Sequence, residues 1–173
     1  WAMSLSTTGG SFTAGSVNAM LVSRSTDGGL AWGAAVPVIT DTTPFYNEKN
    51  AITAAPHAAR FAYAVWDGLR SGGGGPAMLA RTSDGGASWE PARAIFDPGA
   101  TSQTIGNVIV VPAPGTLVNV ALRLDGISGP GPRTGSVIAI RSEDRGATWS
   151  APVRIADHLA VGARDPDTGA GIR

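Results

Sequence analysis

Arginines and carboxylates in the glycine-rich segments of this sequence have the chemistry to meet an anion or a sugar. Arg70, Arg133 and Arg164 lie in or beside "GLRSGGGGPA", "DGISGPGPRTG" and "DHLAVGARDP". A guanidinium pairs with a carboxylate through two parallel hydrogen bonds, and glycine lets backbone approach a ligand closely. Tyr46 and Glu48 share the segment "DTTPFYNEKN", and Asp67 ends "RFAYAVWD". A phenol and two carboxylates can hold a polar substrate, carry a proton or face a developing positive charge. Each residue also has a plainer role. The arginines suit a solvated surface, Phe45 and Tyr46 suit the cover of a core rim, and Glu48 and Lys49 can pair with neighbours. Asp67 either caps a turn or faces a pocket.

Other chemistries drop out. Without cysteine there is neither a disulfide framework nor a thiolate metal site. His57 and His158 fall in segments expected at opposite ends of the fold, so no shared metal site is predicted. "DPDTG" lacks the twelve-position calcium loop. The glycines at 72–75 have no Lys-Ser/Thr pair and no following helix, so they are not a phosphate loop. No Ser/His/Asp set can be assembled, and no cofactor fingerprint is present. Thirteen basic and thirteen acidic residues cancel and are spread along the chain. That leaves no concentrated positive surface for nucleic acid or anionic lipid. No apolar run approaches the ~18–20 residues of a membrane span. The opening "WAMSLSTTGG" has neither the basic start nor the apolar core of a secretion signal.

The elements that must position these groups are set by a repeat. "RSTDGGLAW" (24–32), "RTSDGGASW" (81–89) and "RSEDRGATW" (141–149) align without gaps. The alignment stacks Arg24, Arg81 and Arg141, then Asp27, Asp84 and Asp144, Gly29, Gly86 and Gly146, and Trp32, Trp89 and Trp149. The aspartate can accept hydrogen bonds from its own turn, and the glycine suits a positive φ. The indole can bury ~150–250 Å² beside the turn. The repeated arginines are expected to pack or hydrogen-bond within their own unit, and Asp41, Asp97 and Asp157 to form turns where strands end.

Short apolar strands flank each copy, "AMLVSR", "AMLART" and "SVIAIR" before it and "AAVPVI", "PARAIF" and "APVRIA" after it. Two more fit between copies, such as "NAITAAP" and "RFAYAVWD". Four strands per 57 to 60 residues, with no helical periodicity, predict an all-β chain of four-stranded antiparallel β-propeller blades. On this register residues 1–40 carry the second to fourth strands of one blade. A second blade spans 47–97, a third spans 104–157, and 165–173 start a fourth inner strand. About three blades are present, fewer than the four to eight that close a ring. Self-association or further blades would complete it. A sandwich of about twelve strands would not explain the long period.

The blocks match the Asp-box pattern, S/T-x-D-x-G-x-T/S-W. They stand here as Ser25-Asp27-Gly29-Ala31-Trp32, Thr82-Asp84-Gly86-Ser88-Trp89 and Ser142-Asp144-Gly146-Thr148-Trp149, the first departing at Ala31. The chain resembles the sialidase (neuraminidase) superfamily of BNR-repeat propellers along essentially its whole length. "FYNEKNAITAAPHAARFAYAVWD" is also similar to a stretch of bacterial secreted sialidase-like (exo-α-sialidase) proteins. The resemblance implies a parent ring of six blades, a secreted or extracellular setting and a carbohydrate partner. It implies a glycoside hydrolase that releases terminal sialic acid, or a non-catalytic propeller that binds glycan or protein. It places the Asp-boxes on the rim opposite the pocket. Sialidases use an arginine triad for the sialic acid carboxylate, a tyrosine nucleophile assisted by glutamate, and an aspartate acid/base. Arg70, Arg133 and Arg164 are the candidates here for the first role, and Tyr46, Glu48 and Asp67 for the catalytic ones. The family brings its tyrosine and glutamate from different blades, whereas Tyr46 and Glu48 are near neighbours in sequence.

Overall fold

The structure is a computed structural model that describes residues 1–128, 133–158 and 166–169. Among these residues the chain forms strands and no helix. The first sheet holds β1 (Ala2–Thr7), β2 (Val17–Ser23) and β3 (Val36–Thr42), in that order. The second holds β4 (Phe45–Ala54), β5 (Ala62–Arg70), β6 (Ala77–Thr82) and β7 (Arg93–Phe96). The third holds β8 (Ser102–Ala113), β9 (Thr116–Asp125), β10 (Thr134–Ser142) and β11 (Val153–His158). Within each sheet, sequential strands pair antiparallel as a meander.

The repeat extends to irregularities. In all three sheets the pairing with the last strand shifts register just after Met20, Ala77 or Val137, four residues before the repeated arginine. β4 and β8 also bulge at matching places, between Glu48 and Ala51 and between Ile105 and Val108. Lys49 and Gly106 sit in those bulges with φ of 48° and 67°.

Strand alternation explains why β5 is central. Its Ala64 and Trp66 join Met20, Val22, Val38 and Ala80 in a core between the first two sheets. Its Tyr63 and Val65 point the other way, joining Leu79, Ile109 and Leu117 between the second and third. Residues 62–67 are consequently buried on both faces, as the apolar run "AYAVW" requires. Trp66 is fully buried and its indole N–H donates to Asn47 Oδ1 at 2.6 Å. At ~25 cal/mol per Å², a ring of ~150–250 Å² contributes roughly 4–6 kcal/mol of transfer free energy.

Backbone also joins the sheets. Gly75, in the β5–β6 connection, forms a parallel bridge with Gln103 of β8. The Gly75 N–H donates to the Ser102 carbonyl at 3.0 Å, and the Thr104 N–H donates to the Gly75 carbonyl at 2.8 Å. A β-carbon on Gly75 would lie 2.6 Å from that of Gln103, so the seam admits only glycine.

Some expectations are corrected. Tyr46 and Glu48 are not in a loop, because β4 starts at Phe45 and pairs with β5 through Glu48. Asp67 is inside β5, and Arg70 is that strand's last residue. Arg164 and most of the inner strand expected at 165–173 lie outside the described residues, and 166–168 form a turn.

Candidate functional site

The three Asp-box turns show how a carboxylate is taken up by its own turn. In the second, Thr82 Oγ1 donates to Asp84 Oδ1 at 2.8 Å, and the Ser88 N–H and hydroxyl donate to Oδ1 and Oδ2 at 3.0 and 2.6 Å. The third repeats this with Ser142 and Thr148 around Asp144 at 2.8, 2.9 and 2.6 Å. The first has the Leu30 and Ala31 N–H groups on Asp27 at 3.1 and 3.0 Å, but Ala31 brings no hydroxyl. The Ser88 and Thr148 hydroxyls, with backbone N–H groups, hold Asp84 and Asp144 far below the usual carboxylate range. Asp27 is also held low, mainly by the Ala31 N–H. Gly29, Gly86 and Gly146 have φ of 96°, 87° and 82°, as the turn demands. These acids are turn-forming groups: each Oδ1 accepts two or three hydrogen bonds from its own turn.

The repeated arginines do something the sequence pattern did not reveal. Arg24 Nη1 donates at 2.6 Å to the Gly85 carbonyl, in the turn of the following sheet. Arg81 Nη1 does the same at 2.6 Å to the Arg145 carbonyl. Both reach out of their own unit; Arg81 also bonds within it as expected, Nε donating to both oxygens of Glu90 at 2.8 Å, whereas the bond from Arg24 goes to the next sheet. The tryptophans differ as well. Trp89 and Trp149 pack on the two cores, whereas Trp32 stays half exposed, with no sheet of the described residues packed against its turn.

Strand direction places the candidate site at the other end of the sheets, since β6 and β10 start there and finish at the Asp-box turns. A cleft of about 1670 Å³ opens there, chiefly over the second and third sheets. Glu48 and Lys49 come from β4, Arg70 from the end of β5, and Gly72–Gly74 from the loop beyond it. Arg123 and Asp125 end β9, Arg133 precedes β10, and Arg154, Asp157 and His158 come from β11. Among the described residues five cations and three carboxylates therefore line it.

Three of the cations are already paired. Arg70 meets Asp97 at 2.9 Å, Arg123 meets Asp125 at 2.9 Å, and Arg154 pairs with Asp157. The Gly99 N–H, with Arg70, holds Asp97 below its ordinary range. Lys49 and Arg133 are exposed and form no ion pair among the described residues. They are the cleft's available anchors for an anion. Lys49 owes its position to the bulge, which holds it at a φ rare outside glycine.

The proposed catalytic groups separate. Glu48 lines the cleft, while Tyr46 packs at its margin against Phe12, ring centroids 5.9 Å apart. Asp67 neither caps a turn nor faces the cleft. It is fully buried between the second and third sheets, accepting from the Gly106 N–H at 3.0 Å and Asn107 Nδ2 at 2.6 Å. Burial pushes its carboxyl up to about 6 against those donors, and neighbouring Glu48 adds to the rise. Asn119 Nδ2 continues the network to Asn107 Oδ1 at 2.8 Å.

Arg123, Arg154 and Lys49 were missed as site residues. The first two lie in or at the ends of strands, and their convergence depends on how the third sheet turns toward the second. Lys49 had a local signal only in hindsight, its match to Gly106. No family model matches this sequence, and no curated protein is significantly similar to it.

Proposed function

We propose that the chain is part of a sialidase-like β-propeller whose cleft binds the acidic end of a glycan. The observation that carries this is the gathering of Lys49, Arg70, Arg123, Arg133 and Arg154 around one open cleft, with Lys49 and Arg133 in no ion pair among the described residues. Two cations with no ion pair among the described residues, one on β4 and one just before β10, suit a sugar carboxylate, and a glycine-bordered rim leaves room for the ring. The three Asp-box turns at the far ends of the sheets support the family reading.

A glycan-binding module is favoured over hydrolysis by this chain alone. A hydrolase needs two acidic or nucleophilic groups reaching the same substrate. Of Tyr46, Glu48 and Asp67, only Glu48 lines the cleft, Asp67 is sealed in the core, and the cleft's other two carboxylates, Asp125 and Asp157, are held in ion pairs by Arg123 and Arg154.

The test is titration with sialyllactose and with neutral lactose, alongside a fluorogenic sialoside assay. Sialyllactose is expected to bind and lactose not to bind. Arg133→Ala or Lys49→Ala should each weaken binding about tenfold or more, the loss of one charged hydrogen bond. Equal binding of both sugars, or of neither, would remove the proposal. Fluorophore release above a heat-treated control would restore the hydrolase reading.

A further inference from the structure

Each joint between neighbouring sheets has two halves. The preceding sheet supplies an arginine above an apolar face, and the following sheet supplies an Asp-box turn with its carbonyl and indole. At the first joint Arg24 grips the Gly85 carbonyl, while Trp1 meets Trp89 edge to face at 5.6 Å. At the second, Arg81 grips the Arg145 carbonyl, and Trp149 packs on the core built from Tyr63, Val65 and Leu79.

One half of each kind is left over. Arg141 aligns with Arg24 and Arg81, yet its side chain is 55% exposed and, among the described residues, pairs only with Glu143, at 3.1 Å. Strand register places Val118, Val120, Val137 and Ala139 on its face, each only half-buried, and Val110 beside them is 49% exposed. The matching positions on the second sheet, Tyr63, Val65 and Leu79, are at most 1% exposed, because the third sheet covers them. At the opposite end of the molecule, the Gly28 carbonyl aligns with those of Gly85 and Arg145 but receives no arginine among the described residues. Trp32 beside it is 49% exposed and Leu30 is 89% exposed.

We propose that these halves join between two copies of the chain. Arg141 and the valine face of one copy receive the Ser25–Trp32 turn of the other, with Arg141 donating to the Gly28 carbonyl. The contact is heterologous, head to tail. It rests on the two joints seen within one chain and is independent of what the cleft binds. The stoichiometry alone rests on the propeller reading. Two copies of the three described sheets make six, within the four to eight that close a ring, so the joint forms twice and the proposed product is a dimer.

Sedimentation velocity across a concentration series, with tryptophan emission recorded in parallel, tests this. The expected result is a reversible dimer, with emission moving to the blue as Trp32 leaves water. Arg141→Ala should weaken association about tenfold or more, as should Trp32→Ala, while Arg60→Ala, an equal loss of exposed charge, should not. Circular dichroism checks that each variant folds. A folded monomer at every concentration overturns the proposal, as does association indifferent to Arg141 and Trp32. Loss of sialyllactose binding without loss of association would bear on the cleft and leave the joint standing.

Discussion

Asp84 and Asp67 are both aspartates that accept a backbone N–H and a side-chain donor, yet they hold their protons oppositely. Asp84, in a surface turn, lies far below the usual range, while Asp67, between two sheets, is raised to about 6. Donors lie close to both, so hydrogen bonding alone does not decide the outcome. Water does. Around Asp84 solvent still screens the charge, and each donor adds to its stability. Around Asp67 the loss of solvent outweighs the amides of Gly106 and Asn107, with Glu48 adding repulsion. The same residue type is a turn cap at one end of the fold and a strained joint member at the centre.

The largest effect on this contrast should come from Asp67→Ala. It leaves the buried Asn107 amide with only Thr104 as acceptor and removes the partner of the Gly106 N–H. At ~1–3 kcal/mol for a stranded buried donor, urea unfolding should report a loss of about 1–3 kcal/mol. A loss under ~1 kcal/mol would mean that solvent reaches the joint.

Next is the dependence on pH. A carboxyl raised in the folded state favours folding below its unfolded pKa of ~4, and that stability disappears as pH climbs through about 6. Asp84 and Asp144, depressed in the folded state, act the other way, and their contribution is lost as pH falls below ~4. Melting temperature should therefore peak at about pH 4–5 and fall toward neutral pH. The Asp67 limb is on the order of 3 kcal/mol. Asp67→Asn should flatten the neutral side of the peak and leave the acid side intact. A wild-type profile already flat from pH 5 to about 8 would contradict the raised Asp67.

The smallest effects separate the turns from one another. Asp144→Asn should lower the melting temperature more than Asp27→Asn, because only Asp144 also holds a hydroxyl at the fourth following residue. Ala31→Ser should give the first turn that missing donor and raise the melting temperature slightly. No rise would show that the hydroxyl in the other copies serves something other than the turn.

Legibility in the sequence followed the range of the interaction. The Asp-box turns could be read because Asp84 finds all its partners between Thr82 and Ser88. The meander could be read because strand alternation and turn residues are also local. Arg24 could be recognised as repeated but not assigned, since its carbonyl partner at Gly85 is 61 residues away. Asp67 looked like a strand-end residue because nothing nearby in sequence betrays that β8 covers it. Trp32 carries the same local pattern as Trp89 and Trp149, and only a neighbouring sheet distinguishes them. The cleft was legible in part. Glu48, Arg70 and Arg133 were flagged from type and position, while Arg123 and Arg154 arrive through the packing of the third sheet.

The seam at Gly75 carries a mechanical consequence. Gly72–Gly74 border the cleft, the next residue is stitched to Ser102 and Thr104, and two residues beyond Thr104 the backbone donates to Asp67. A guest that displaces the glycine rim is therefore expected to shift the titration of Asp67, a change that the NMR signal of its carboxyl carbon would read.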